Sequence, residues 1–71
     1  MIRLKALRQA RGWSGMELAR QSGLSPSTIS QVEHRRFVPY ESQLSKLAAA
    51  LDYHGATTEL LEDVGSDEQA D

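Results

Sequence analysis

The sequence predicts an all-α fold in one small domain, and three observations carry this prediction. Apolar residues recur at helical spacing in several short segments, and capping residues and glycines separate these segments. The chain has 71 residues, 39% of them hydrophobic, which is enough for one core but not for two. It has no cysteine, so we expect well-packed helices, rather than disulfides or thiolate-bound metal, to hold the fold together.

The first helix is predicted over about residues 2–11. Leu4 and Leu7 lie at helical spacing in this segment, and Gly12 follows, where a helix often ends in a left-handed residue. A second helix is predicted to follow Ser14 and to run to about residue 22.

Ser14 and Glu17 form a predicted capping box, in which the hydroxyl and the carboxylate would each accept a backbone N–H at the start of the second helix. Gly23 can supply the positive φ that ends this helix. Ser25 followed by Pro26 then predicts the start of a third helix, because proline favours the first helical position and holds the residue before it extended. This third helix should reach about His34.

A fourth helix is predicted over about residues 41–52, and a short fifth over about 58–63. Residues 65–71 are small, polar and acidic, so we expect a disordered tail after a domain that covers residues 1–64.

The second and third helices, joined by a short turn that contains glycine, match helix-turn-helix geometry. Five residues fill the internal positions of this unit: Ala19, Gly23, Leu24, Ile29 and Val32. The opposite face of the third helix is polar and carries no acid, which suits contact with DNA. Its members are Ser27, Ser30, Gln31 and His34, with Pro26 and Thr28 on the flanks. Gln31 is the best candidate base reader, because its amide can pair bidentately with adenine.

Charge is divided unevenly along the chain. Residues 1–40 hold seven basic and two acidic residues, whereas residues 41–71 hold one basic and eight acidic residues. This division predicts a basic face that meets phosphates and an acidic face that stays clear of them. An ordinary variation of surface charge is the alternative reading.

Taken together, these residues resemble the XRE/Cro family of phage-repressor-like helix-turn-helix domains over about residues 2–62. The matching positions are Arg8, Ser14, Glu17, Leu18, Ala19, Gly23, Ser25, Thr28, Ile29, Ser30, Glu33, Pro39, Leu44, Leu47, Ala48 and Leu51. The resemblance implies a compact five-helix lambda-repressor-like domain that binds operator DNA, commonly as a dimer on a near-palindromic site.

Carried over by position, the family's base contacts fall on Pro26, Ser27 and Gln31, and we add Ser30 and His34 from the polar face. Phosphate contacts fall on Ser14, Gly15, Arg35 and Arg36, with Thr28 beside them. The resemblance also implies a structural ion pair between Arg8 and Glu33. Two positions depart from the family pattern: Gly15 stands where glutamine is frequent, and Arg35 stands where glycine is preferred, which implies strain at a positive φ.

Four apolar residues near the C-terminus exceed what one short helix can cover, and they predict a homodimer surface: Tyr53, Leu60, Leu61 and Val64. The sequence lacks a catalytic triad, a zinc-ligand spacing and a phosphate-binding loop, so we expect neither an enzyme nor a cofactor or metal site. It also lacks a secretory or membrane segment, so we expect a cytoplasmic protein.

The sequence therefore predicts a transcriptional regulator, more specifically a repressor, whose partner is double-stranded DNA. An antitoxin of a toxin–antitoxin operon, which binds a protein partner and represses its own operon, remains the alternative.

Overall fold

The structure is a computed structural model that describes residues 1–64, and the predicted disordered tail, 65–71, lies outside these residues. Within them the fold is all-helical and compact, with four α-helices: α1 (Arg3–Ala10), α2 (Gly15–Ser22), α3 (Pro26–Glu33) and α4 (Glu41–Ala50). No strand forms in this part of the chain. The predicted helices are therefore present, and α4 ends two residues earlier than expected.

The predicted fifth helix is a short 3₁₀ helix, Thr57–Leu61, rather than a fifth α-helix. It ends before Glu62, which is extended and pairs, together with Val64, with the start of the chain. The Arg3 amide donates to the Glu62 carbonyl at 2.7 Å, and the Val64 amide donates to the Met1 carbonyl at 2.9 Å. This short antiparallel pairing, which we call the terminal clasp, uses the backbone groups that a longer helix would need.

The helix boundaries follow the local chemistry of the sequence. Gly12 and Gly23 both adopt positive φ, at 72° and 79°, as predicted. Ser25 is extended, and its Oγ accepts a hydrogen bond from the Thr28 amide at 3.1 Å, while Pro26 occupies the first turn of α3. At the start of α4 the Gln43 side chain accepts a hydrogen bond from the Tyr40 amide at 2.8 Å.

One buried cluster joins the helices. α2 packs against both α3 and α4, while the 3₁₀ helix packs against α1 and α4. Six side chains at the centre of the cluster are almost fully excluded from solvent: Leu4, Leu18, Ile29, Val32, Leu47 and Leu60. Burial of each of these side chains contributes about 1.5–3 kcal/mol. Burial of Ile29 and Val32 fixes α3 on α2 and leaves the other face of α3 exposed.

None of the helices described in residues 1–64 is long and apolar enough to cross a membrane.

Candidate nucleic-acid interface

Helix α3 presents a polar face to solvent because its apolar face is fixed in the core. Ile29 and Val32 are each only 1% exposed. The predicted base readers on the opposite side are all exposed, and they are Pro26, Ser27, Ser30, Gln31 and His34. The structure therefore brings these five residues together on one accessible surface.

Two local contacts organise this face. The Gln31 amide nitrogen lies 3.4 Å from the Ser27 hydroxyl, which is a long hydrogen bond that a base edge could replace with little loss. The His34 Nδ1 atom lies 2.8 Å from the Ser30 carbonyl oxygen, at the C-terminal end of the helix. Since a carbonyl can only accept, Nδ1 is the donor in this contact, which leaves Nε2 as the ring nitrogen that faces a ligand.

The only carboxylate of α3 is kept off the exposed face. Glu33 Oε2 accepts from Arg8 Nε at 2.7 Å, and its Oε1 accepts from Arg8 Nη2 at 3.0 Å, so the pair is bidentate. The two side chains are only 12% and 6% exposed. Arg8 also donates through Nη1 to the Trp13 carbonyl at 2.8 Å, which ties α1, the α1–α2 turn and α3 together. The ion pair implied by the resemblance is thus present in the structure, and it removes negative charge from the α3 surface.

The predicted capping box at the start of α2 is only half formed. Ser14 Oγ accepts from the Glu17 amide at 3.0 Å, as predicted. The Glu17 carboxylate instead accepts from Gln21 Nε2 at 2.6 Å and from Arg20 Nη2 at 2.8 Å, so the prediction for its second bond is wrong. The hydrogen bonds from Gln21 and then Arg20 lower the pKa of Glu17. Glu17 therefore stays charged but is engaged by Arg20 and Gln21, and it does not accept from the Ser14 amide as the capping box predicts.

Thr28 is half-buried and belongs to the cap of α3 more than to an open surface. Its amide donates to Ser25 Oγ, and its hydroxyl lies 2.9 Å from the same oxygen. A phosphate contact from Thr28 would therefore have to share its hydroxyl with the cap.

Arg35 and Arg36 differ although they are adjacent. Arg35 has φ of 60°, the strained left-handed conformation expected at a position that favours glycine. Its Nη2 lies 2.9 Å from Asp63 Oδ1, an oxygen that also contacts the N-terminal ammonium at 2.9 Å, so one carboxylate is shared by two cations. Arg36 is exposed, makes no ion pair within residues 1–64, and donates its amide to the Gln31 carbonyl at 2.8 Å. Of the two, Arg36 is the cation available beside α3.

The predicted separation of basic and acidic faces is only partly correct. The terminal clasp brings acids of the C-terminal half against basic residues of the N-terminal half: Asp63 against Arg35, and Glu62 against Arg3 at 3.8 Å. Hydrogen bonds and charge from the N-terminal ammonium, followed by those of Arg35, lower the pKa of Asp63. Nothing in the sequence points to the Arg35–Asp63 pair, since 28 residues separate its members.

The four residues predicted to form a dimer surface do not share one exposed patch. Leu60 is fully buried in the core, so the prediction for this residue is wrong. Tyr53 is half-buried and donates its hydroxyl to the Glu59 carboxylate, a hydrogen bond that raises the pKa of Tyr53. Leu61 and Val64 are also half-buried and lie beside the terminal clasp.

Two apolar residues outside the predicted sites are also prominent. Val38 and Tyr40, which flank Pro39 in the loop between α3 and α4, are highly exposed. The run of apolar residues from Phe37 to Tyr40, in a loop where apolar residues are not needed for a helix face, is the feature of the sequence that points to them.

Comparison with known proteins agrees with this geometry. Residues 2–64 match the family model described as a helix-turn-helix domain. A hypothetical transcription factor of Neisseria meningitidis serogroup B is 44% identical over 48 residues, which cover 68% of this chain and 45% of that protein. The HTH-type transcriptional regulator SutR of Escherichia coli K12 is 41% identical over 49 residues, which cover 69% of this chain and 28% of SutR. The matched segments thus span less than half the length of these relatives. No solved structure matches the chain significantly.

Proposed function

Because the chain belongs to the helix-turn-helix domain family, we propose that it is a sequence-specific transcriptional regulator of the XRE/Cro type, which places α3 in the major groove of DNA. The observation that carries this proposal is the exposed face of α3, which is mainly polar and free of acid because the only carboxylate of the helix, Glu33, is buried against Arg8. A phosphate-lined groove would repel a free acid at this place and accepts an acid-free polar face.

Within this face, Gln31 is the proposed reader of base sequence. It lies in the last turn of α3 with its amide exposed, and both edges of a glutamine amide can pair with adenine N6 and N7. Ser27, Ser30 and His34 surround it and offer further donors and acceptors, while Pro26 shapes the start of the helix. Because serines make few base-specific bonds, we also expect DNA shape to contribute to specificity.

Arg36 is the proposed main phosphate contact, and the Ser14–Gly15 end of α2 is the second. Arg36 extends from the turn that follows α3 and has no acidic partner in residues 1–64. The Gly15 amide lies at the positive end of α2, where an anion is favoured. Arg35 contributes less to DNA binding in this proposal, because its guanidinium already contacts the Asp63 carboxylate.

We further propose that the regulator is a repressor and binds as a dimer to a near-palindromic operator. Two recognition helices on such a site would lie about 34 Å apart, one turn of the duplex. The alternative is an antitoxin, in which the same domain binds a protein partner. Selection of bound sequences from a random duplex library distinguishes this alternative from a stand-alone repressor.

The proposal is tested by selecting bound sequences from a random duplex library with the full chain and then titrating the selected site against salt. A palindromic consensus with a steep dependence of affinity on salt is the expected result. Weak binding without enrichment would contradict the proposal of a sequence-specific regulator and would direct the search to a protein partner.

Two variants test the division of roles. Gln31→Ala should lose about 1–3 kcal/mol of binding free energy at the selected site and little on random DNA, because it removes a base contact. Arg36→Ala should weaken binding to both duplexes and reduce the salt slope by about 1, because it removes a phosphate contact. Gln21→Ala and Arg20→Ala are the matched controls, since these exposed side chains engage Glu17 on α2. Equal losses on both duplexes for Gln31→Ala and Arg36→Ala would refute the division.

The departure at Gly15 yields a further prediction. A Cβ atom at this position would meet only Ile29 Cγ2, at an ordinary contact distance of 3.9 Å, so a longer side chain fits. Gly15→Gln should therefore bind both selected and random DNA more tightly, because its amide can reach a phosphate at the start of α2. Gly15→Glu is the control of similar shape and should bind both more weakly. A loss of DNA affinity in Gly15→Gln would place this end of α2 away from the backbone.

A further inference from the structure

The largest exposed apolar side chains are concentrated beside the end of α3. Val38 is 79% exposed and Tyr40 is 69% exposed, and both belong to the loop between α3 and α4. Among the described residues only Met16, on α2, is a large apolar side chain of similar exposure. Two neighbouring side chains of this kind in one loop favour an interaction surface over scattered surface variation.

A pocket lies next to these two side chains, and we call it the Val38 pocket. Its volume is about 140 Å³, which suits one or two protein side chains and is smaller than the roughly 300–1,000 Å³ of ligand pockets. Its apolar lining is Ile2, Val32, Phe37, Val38, Pro39 and Leu61. The pocket therefore fits part of another protein surface better than a small-molecule effector.

The same surface carries projections as well as the pocket. The Tyr40 ring packs edge-on against Phe37, with 6.2 Å between ring centroids and an angle of 89°, which holds the exposed ring beside the lining. A projection and a pocket on one surface allow two identical copies to fill each other about a twofold axis. An isologous interface requires this self-complementarity.

The charges at the edge of the pocket also favour a second copy of this chain as its occupant. Arg35 lines the pocket, and its guanidinium is 2.9 Å from the Asp63 carboxylate, with both side chains more than half exposed. Asp63 and the neighbouring Glu62 would repel a DNA backbone. Asp63 also contacts the N-terminal ammonium at 2.9 Å, so this exposed surface carries both signs of charge. Opposite charges on one surface are self-complementary about a twofold axis, and a second copy can replace the Arg35–Asp63 pair within each chain by an equivalent pair between chains.

We propose that the Val38 pocket and its exposed neighbours form the dimer interface, and that a second copy of this chain covers it. In this interface Val38 and Tyr40 of each copy lie against the pocket of the other, and Arg35 faces Asp63 across the twofold axis. The inference rests on the proposed function for its biological role, since it assigns the surface through which the regulator pairs. It retains Leu61 of the surface predicted from sequence, and it replaces Tyr53 and Leu60.

The proposed dimer contact lies close to α3 in the sequence, which links dimer formation to DNA binding. Only four residues separate the end of α3 from Val38, so a contact at Val38 constrains how the two recognition helices are spaced. Arg36 stays available for phosphate because the charge contact uses Arg35. Dimer formation and major-groove contact thus use neighbouring but separate residues.

The first test is the self-association of the full chain without DNA, measured by sedimentation equilibrium over a range of concentrations. The wild type should dimerise, and Val38→Glu should raise the dimer dissociation constant at least about tenfold, because it buries an unpaired charge in the contact. Met16→Glu is the matched control, since Met16 is similarly exposed but lies on α2, and it should dimerise as the wild type does. A monomeric wild type, or a Val38→Glu dimer of unchanged stability, would overturn the proposal.

A charge exchange tests the occupant more specifically. Arg35→Asp and Asp63→Arg should each dimerise weakly alone, because each places like charges across the axis, whereas an equimolar mixture should form heterodimers. Aspartate tolerates the positive φ of position 35, which limits the effect of the first variant on folding. Circular dichroism confirms that each variant is folded. A mixture that associates no better than its components would contradict the proposed contact.

DNA binding distinguishes failure of this interface from failure of the proposed function. Val38→Gln, which places a polar amide in the contact without adding an acid near Arg36, should bind a single half-site as tightly as the wild type and lose the additional affinity of the complete palindrome. A wild type that dimerises through Val38 but selects no DNA would refute the proposed function alone. Sequence-specific binding by a dimer that Val38→Glu leaves unchanged would refute this interface alone.

Discussion

Two arginine–carboxylate pairs lie at the C-terminal end of α3, and they differ mainly in burial. In the Arg8–Glu33 pair the side chains are 12% and 6% exposed and make two parallel hydrogen bonds. In the Arg35–Asp63 pair the side chains are 55% and 60% exposed, with one short contact of 2.9 Å. Only one residue, His34, lies between Glu33 and Arg35. Residues almost adjacent in the chain therefore belong to two environments, one inside the domain and one on its surface.

Similar ion pairs can therefore serve opposite purposes. The buried pair fixes α1 to α3 and keeps the exposed face of α3 free of acid, and neither partner can leave it without leaving an unpaired charge in the core. The exposed pair is screened by water, so exchanging its partner changes little free energy. The buried contact holds α3 in place, while an exchangeable contact suits the proposed interface with a second copy.

The largest expected effect comes from breaking the buried pair. Glu33→Ala should reduce the free energy of unfolding by about 3 kcal/mol, since it leaves the Arg8 guanidinium in the protein without its carboxylate. Chemical denaturation followed by circular dichroism measures this loss. Asp63→Ala, which removes the carboxylate of the exposed pair, is the matched control and should have a much smaller effect.

A double variant tests whether the two charges of the buried pair are coupled. Arg8→Met with Glu33→Leu replaces both charges by apolar groups, and it should cost less than the sum of the single replacements. Additive losses would show that the two side chains stabilise the fold independently and would contradict a coupled pair.

The next effect concerns the backbone of the exposed pair. Arg35→Gly should have a free energy of unfolding about 1 kcal/mol higher than that of Arg35→Ala, because only glycine relieves the strain at φ of 60°. It should therefore unfold at a higher denaturant concentration. Both variants lose the contact with Asp63, so the comparison isolates the backbone term. Equal stabilities would mean that position 35 is not left-handed in solution.

The smallest effect is the dependence of stability on acid pH. The N-terminal ammonium and Arg35 lower the pKa of Asp63 in the folded chain, so its charged form stabilises the fold at pH values above the pKa of the unfolded chain. This stabilisation should be lost as the pH falls through the lowered pKa. The difference in unfolding free energy between the wild type and Asp63→Asn should therefore shrink in acid. A difference that grows as the pH falls would contradict the direction of this shift.

Local features of the sequence determined most of the helix boundaries. Gly12, Gly23 and the Ser25–Pro26 pair each act within one turn of backbone, so their consequences could be predicted without knowing the tertiary structure. The Glu17 prediction failed because Arg20 and Gln21 compete for the same carboxylate on α2. The 3₁₀ geometry of Thr57–Leu61 depends on the terminal clasp, which pairs residues about 60 positions apart.

The candidate site was predictable where helical periodicity decides exposure. The spacing of Ile29 and Val32 placed Gln31 on the opposite, accessible face. Charge pairing across the chain was not predictable, because the clasp alone brings Asp63 to Arg35. The same long-range packing buries Leu60 and leaves Val38 exposed, so composition near the C-terminus did not show which apolar residues reach the surface.

A double-variant cycle on the selected operator tests the proposal that α3 reads base sequence through Gln31. Wild type and Gln31→Ala are titrated against operators in which each adenine in turn is replaced by 7-deaza-adenine, which lacks the N7 acceptor. We expect one adenine in each half-site where the base change weakens binding of the wild type but has no further effect on Gln31→Ala. Independent, additive losses at every adenine would contradict the proposed contact.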